Sequence, residues 1–227
     1  MLAFDTTTEA CSVALFDGAE IHSHRFHNTR EHAVRLLPMI QELLASSGVS
    51  RRDIDAIAFA RGPGSFTGCR IATATAQGLG YALDRPLVPV STLETLAEGG
   101  RRELGLSHVA VAVDARMQEV YWACFARDGL QWHIEVAESV CPPDQVVVPP
   151  DGRWVGIGTG WAAYNDALTD RCPMVGRHFG RHLPDAQDVV SLALPRMARG
   201  ETVSANDVEP VYLRDKVALT TAERAKP

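Results

Sequence analysis

The stretch at 61–71, RGPGSFTGCRI, sets Gly62, Gly64 and Gly68 directly ahead of a helix-like segment. Successive glycines let backbone N–H groups converge on an anion, and the first turn of a following helix adds a favourable dipole, so the pattern could cradle a phosphate. The chemistry is incomplete as written. A Walker loop continues Gly-Lys-Ser or Gly-Lys-Thr, whereas this chain continues Gly68-Cys69-Arg70, and the spacing is not that of a Rossmann turn. A tight strand-to-helix turn that needs positive φ and room accounts for the same glycines and is the favoured reading. Ser65 occupies the turn as a nucleophile would. The elbow that exposes a catalytic serine needs glycine two residues to either side, and Pro63 and Thr67 stand there.

A second candidate is Asp5 with Thr6, Thr7 and Thr8, a carboxylate and three hydroxyls in a hairpin turn. Such a set could face phosphates and their metal, although an Asx turn closing the hairpin explains it as well and is favoured. Two histidine pairs have ligand spacing, His22 with His24 and His178 with His182. Neither has a Cys or carboxylate set beside it to complete a shell, so exposed imidazoles are the expectation. Asp114, Arg116 and Glu119 make the best polar cluster of the second half, beside Tyr121 and Trp122. They form either a binding edge or, preferably, a solvated turn with an ion pair worth about 0 to 1 kcal/mol. No metal site and no catalytic set is assigned.

The elements that position these residues follow from pattern. Leu2 to Phe4, Cys11 to Phe16 and Glu20 to Phe26 read as three antiparallel strands, and 31–47 as a helix with Val34, Leu37, Met39, Ile40, Leu43 and Leu44 at helical spacing. Pro38 inside it predicts a bend or a late start. Ile54 to Ala60 reads as a central strand, 67–83 as a helix of small residues, Leu87 to Val90 as a strand, and STLE at 91–94 as a capping box. Gly99 to Gly105 has the composition of a lobe boundary. Beyond it, strands are expected at 108–113, 119–126, 130–136 and 154–157 and a helix at 186–199, with Pro142, Pro143, Pro149 and Pro150 bracketing irregular chain. Two lobes, 1–103 and 104–227, each opening with antiparallel strands, suggest an internal duplication.

The chain has 227 residues, 46% hydrophobic and 22% charged, which suits a folded globular protein. A net charge of −6 is the wrong sign for gripping nucleic acid unaided, so any RNA contact is expected to be shared with another chain. No export signal and no membrane-spanning run is read, and five dispersed cysteines suit reduced thiols in cytoplasm.

Five segments, FDTTTEACSVAL, RGPGSFTGCRIA, VSTLETLA, VDARMQEVYWACF and PVYLRD, together resemble the TsaB (YeaZ) family over about residues 2 to 215. The family comprises dimerization subunits of the bacterial machinery that makes threonylcarbamoyladenosine on tRNA. The resemblance implies an α/β, actin-like ATPase fold (ASKHA) of two RNase H-like lobes and a cytoplasmic protein. Its implied partners are the catalytic paralogue TsaD, the ATPase TsaE through that pair, a second copy in isolation, and tRNA only through the complex. The implied function is support of threonylcarbamoyl transfer to adenosine 37 of tRNAs reading codons that begin with A. The paralogue carries two histidines four apart in a stretch like VNHLEGH, and the matching residues here are Thr92 and Leu96. A leucine cannot ligate a metal.

The resemblance therefore implies a non-catalytic subunit. Asp5, Thr7, Gly62, Gly64 and Gly68 are its vestigial phosphate loop, and ATP or ADP is expected at most at the joint with partners. The expected partner face is Leu36, Ile40, Thr73, Ala76, Gln77 and Gly80 on the two N-terminal helices, with Ala76→Arg expected to separate subunits and spare the fold. The rival is an ATP-dependent enzyme, a transferase or a peptidase-like activity, using Asp5 and the 62–68 loop. The segment Pro210 to Asp215 is expected to lie extended across the body, and the tail from Thr220 to be loose.

Overall fold

Short apolar runs fix the middle of two sheets. The structure, a computed structural model, describes residues 1–28 and 31–214. In the first sheet β1 (Leu2–Asp5) lies at the centre, antiparallel to β2 (Ala10–Phe16) and parallel to β4 (Ile57–Ala60). β3 (Ile21–His27) and β5 (Leu87–Val90) complete it, in the order β3-β2-β1-β4-β5. The second sheet has β6 (His108–Asp114) at its centre, flanked by antiparallel β7 (Val120–Asp128) and parallel β9 (Trp154–Ile157), with β8 (Gln131–Cys141) and β10 (Val175–Phe179) outermost. Its order, β10-β9-β6-β7-β8, repeats the first sheet strand for strand, with the same pattern of parallel and antiparallel pairs. The duplication suggested by the sequence is visible as topology, and the fold is the actin-like α/β type.

Helices sort into layers by which side they bury. α1 (His32–Ser46) buries Leu36, Met39, Ile40, Leu43 and Leu44 on the outer face of the first sheet, and α2 (Phe66–Leu83) buries Cys69, Ala72, Thr73, Ala76 and Gly80 there. Each large apolar side chain so buried contributes about 1.5–3 kcal/mol. α3 (Thr92–Leu104) and α6 (Ala186–Ala198) pack on one another between the two sheets. Val189, Val190 and Ala193 of α6 sit against the alanines of the first sheet, and Leu93, Leu96 and Ala97 of α3 against Val109, Val111 and Phe125 of the second. The far face of the second sheet is covered by α4 (Thr159–Ala163) and α5 (Asn165–Arg171), with Trp122 and Trp161 between them.

Several local expectations are corrected. α1 starts at His32 and runs through Pro38, because Pro38 lies on the exposed side, where the carbonyl it leaves unpaired meets water. Ser91 caps α3, but the capping box is not closed: Glu94 pairs with Arg196 of α6 instead of returning to the Ser91 amide. Gly99 to Leu104 is helix, not linker. A Cβ at Gly99 would lie 2.8 Å from His182 Nε2, and one at Gly100 2.4 Å from Ile157 Cδ1, so these glycines let α3 close on its neighbours. Residues 54–56 precede β4 as non-strand chain, with Ile54 and Ala56 buried and Asp55 exposed. The short helices α4 and α5 and strand β10 were not read from the sequence; Thr220 and Asp215 lie outside the described residues.

Candidate functional site

The glycine loop and the β1–β2 turn lie on one another. Asp5 Oδ1 accepts from the Thr7 amide at 2.6 Å and the Thr7 hydroxyl at 2.8 Å, an Asx turn. Thr6 Oγ1 donates to the Gly68 carbonyl at 2.7 Å, and the Ser65 amide donates to the Thr7 carbonyl at 2.7 Å. Thr92 adds its amide to the Gly62 carbonyl at 3.0 Å and its hydroxyl to Thr7 Oγ1 at 2.9 Å. A Cβ at Gly64 would lie 2.3 Å from the Thr7 carbonyl oxygen, and one at Gly68 2.0 Å from that of Thr6. Gly62, at φ 102°, turns the chain into this contact. Ser65 is the N-cap of α2, its hydroxyl accepting from the Gly68 amide. The donors a phosphate would use at Ser65 and Gly68 are thus spent on the protein itself.

Asp5 is wholly buried, and its Oδ2 has no hydrogen-bond partner among the described residues. Burial pushes its carboxyl up to about 6, against the two Thr7 hydrogen bonds, which favour the ionised form. The folded chain holds this proton more tightly than the unfolded one. Its contribution to stability is therefore full below the ordinary carboxylate range and declines as pH rises through about 6. Asp5→Asn keeps an acceptor for Thr7 and removes the buried charge. It is expected to exceed the parent in stability by about 1–3 kcal/mol at pH 8, with the gap closing towards pH 4, as read by urea titration at both pH values.

The remaining candidates do not assemble with it. Leu96, which the resemblance sets at a histidine of the paralogue, is buried in the core between α3 and the second sheet, and Thr92, which it sets at the other, is bonded to Thr7. These two residues do not fit a metal. His22 pairs with Asp17 at 3.0 Å, His178 stacks on Trp161 at 5.6 Å between ring centroids, and His182 faces Glu103 at 3.3 Å. Among the described residues no group of three His, Cys, Asp or Glu side chains is arranged to hold a metal ion. Asp114 accepts from the Arg116 amide and pairs with its guanidinium at 3.1 Å, whereas Glu119 pairs with Arg214, so the expected three-residue cluster is split. A cavity of about 440 Å³ lined by Leu44, Val49, Arg51 and Arg52 lies at the end of α1, apart from this turn.

Most of the expected partner face points inward. Leu36, Ile40, Thr73, Ala76 and Gly80 are buried against the first sheet, and Gln77 is half-buried with its amide donating to the Val208 carbonyl at 2.9 Å. Small residues of α2 bring it close to its own sheet and to β5, where a Cβ at Gly80 would meet Leu87 Cδ2 at 2.8 Å. Outward lie Val34 (68% exposed) and Leu37 (48%) on α1, and Phe66 (58%), Ala74, Gly78 and Tyr81 (79%) on α2. Small residues line both sides of α2, so composition alone did not say which side was free; the four-residue spacing of Phe66, Arg70, Ala74 and Gly78 was the available signal.

The family described as TsaD, tRNA N6-adenosine threonylcarbamoyltransferase, matches residues 23–221. The chain is 46% identical over 223 residues to the tRNA threonylcarbamoyladenosine biosynthesis protein TsaB of Escherichia coli (strain K12), covering 96% of each. It is 40% identical to the protein of that name from Haemophilus influenzae, covering 96% of this chain and 94% of the other. A solved structure of YeaZ from Pseudomonas aeruginosa superposes with a TM-score of 0.88 at 47% identity, over 93% of this chain and 98% of that one. No helix among the described residues is long and apolar enough to cross a membrane.

Proposed function

The chain belongs to the TsaB family, and from that premise we propose that it is a non-catalytic subunit required for threonylcarbamoyl transfer to adenosine 37 of tRNA. It binds the catalytic paralogue TsaD and, with it, the ATPase TsaE, in the cytoplasm. tRNA is met through that complex, as the net charge of −6 favours. Residues 1–103 supply the first sheet and the chain after 103 the second, with α6 packed back on the first.

One contrast carries this reading. The loop that would hold a nucleotide is bonded to its own hairpin turn, while the outward side of α1 and α2 leaves Val34, Leu37, Phe66 and Tyr81 in water. Soluble chains cover such apolar helix faces with a partner. The equivalent helices of a two-lobed relative, or of a second copy, offer the matching shape, and four such helices make a small bundle.

The test is reconstitution. With TsaD, TsaE, tRNA and the threonylcarbamoyl donor present, modified tRNA is expected only when this chain is added. Modification at full rate without it would end the proposal. The rival reading, an ATP-using enzyme, requires micromolar binding of ATP and magnesium by the isolated chain, and titration calorimetry is expected to find none.

A further inference from the structure

Residues 201–214 contain no helix and only a single bridge of sheet, yet they are fastened to both halves of the molecule. Val203 exchanges two backbone hydrogen bonds with Leu87 of β5, at 2.9 and 2.8 Å. The Val208 carbonyl takes the Gln77 amide from α2, and the Val211 amide donates to the Arg61 carbonyl, ahead of the glycine loop, at 3.3 Å. Tyr212 then stands 6.2 Å from the Phe66 ring, with the Arg70 guanidinium 3.1 Å from the centre of Phe66 and 4.9 Å from that of Tyr212. Two residues on, the chain reaches the second sheet. Arg214 Nε donates to the Glu119 carboxylate at 3.0 Å and a terminal nitrogen to the Ala115 carbonyl at 3.0 Å.

The turn that Arg214 grips is unusual backbone. Arg116, Met117 and Gln118 are consecutive left-handed residues, at φ 61°, 54° and 60°, and none is glycine. Side-chain-bearing residues visit that region singly, and a run of three persists only where its surroundings over-determine it. Within the hairpin the fastenings are the Arg116 amide and guanidinium on Asp114, the Ala115 amide on the Glu119 carbonyl and the Glu119 amide on the Arg116 carbonyl. From outside, Thr159 and Tyr164 hold Asp114 at the start of the turn, and Arg214 bonds the carbonyl of Ala115 and the carboxylate of Glu119 at its two ends.

We infer that residues 201–214 are a strap that couples the aromatic stack on α2 to the left-handed turn between β6 and β7. Displacing Tyr212 from Phe66 withdraws Arg214 and lets the turn relax, so an event on the outer face of α2 changes how Arg116 and Met117 are presented on the other half. The coupling belongs to the isolated chain and holds whether or not that face receives the partner proposed above.

Hydrogen exchange by mass spectrometry on the full chain tests it. Arg214→Ala is expected to speed amide exchange across 115–120 by about tenfold or more, while peptides over β9 and β10 keep their rates and report that the fold is intact. Phe66→Ala, at the far end of the strap, is expected to speed exchange at the same 115–120 amides, which a purely local loss at α2 would not do. Unchanged exchange at 115–120 in Arg214→Ala, or a Phe66→Ala effect confined to α2 and 208–212, overturns the proposal.

Discussion

Gly78→Arg is expected to abolish co-elution with TsaD on gel filtration, and to dissolve any homodimer, while the chain melts at or slightly above its parent temperature. A Cβ at Gly78 meets nothing within 4 Å, and its φ is not in the left-handed region, so the chain itself has room for a side chain there. Arg in place of Gly within a helix adds about 0.5–1 kcal/mol of propensity. Against a packed partner helix the same side chain buries an unpaired charge, which costs about 3–5 kcal/mol. That corresponds to roughly a hundredfold or greater loss of affinity. Ala76→Arg, the change the sequence had recommended, cannot serve this purpose. Ala76 is fully buried against the first sheet, and forcing a guanidinium there is expected to remove more than about 4 kcal/mol of stability. Co-elution would be lost from Ala76→Arg because the subunit unfolds, and from Gly78→Arg because it cannot dock. A Gly78→Arg variant that folds and still co-elutes would place the partner on another face.

Why one of these positions was legible in the sequence and the other was not is a matter of what a side chain reveals. α1 was readable because Leu36, Met39, Ile40, Leu43 and Leu44 are large and repeat at helical spacing, so its buried stripe announced itself. α2 was readable as a helix but not as a face. Its buried stripe of Cys69, Ala72, Thr73, Ala76 and Gly80 and its exposed stripe of Ala74 and Gly78 are equally small, and small residues fit close packing on either side. The β1–β2 turn was legible because Asp5 followed by Thr7 encodes an Asx turn locally. Its contact with a glycine loop some sixty residues later was not, because hydrogen bonds such as Thr6 to Gly68 depend on β1 and β4 being neighbours in the sheet. The same holds for Glu94, whose local capping role yields to an arginine a hundred residues away on α6. The Gly99 to Gly105 stretch misled for a related reason: glycine reads as linker when its neighbours are unknown, and as close packing when His182 and Ile157 are seen beside it.

Gly68→Ala is expected to lower the stability of the isolated chain by roughly 3 kcal/mol or more, measured by urea unfolding at pH 7. The added carbon would sit 2.0 Å from the Thr6 carbonyl oxygen, and neither partner can turn aside. The Thr6 backbone is pinned by its own hydroxyl on Gly68, and the next residue by the Ser65 amide on the Thr7 carbonyl. Relief therefore means prising the start of α2 off the β1–β2 turn, which also strips the Thr6 and Ser65 hydrogen bonds and exposes buried Asp5. Thr67→Ala, one residue away on the exposed side, is the matched control and should stay within about 0.5 kcal/mol of the parent. The two accounts of the glycine loop separate cleanly on this pair. A cradle kept open for a nucleotide has slack, so a methyl group at Gly68 would weaken ligand binding and leave the empty chain nearly as stable. A loop closed on its own hairpin has none, and the penalty falls on folding with no ligand present. A Gly68→Ala chain that unfolds like its parent would mean the loop stands clear of the turn in solution, and the ATP-using alternative would regain its site.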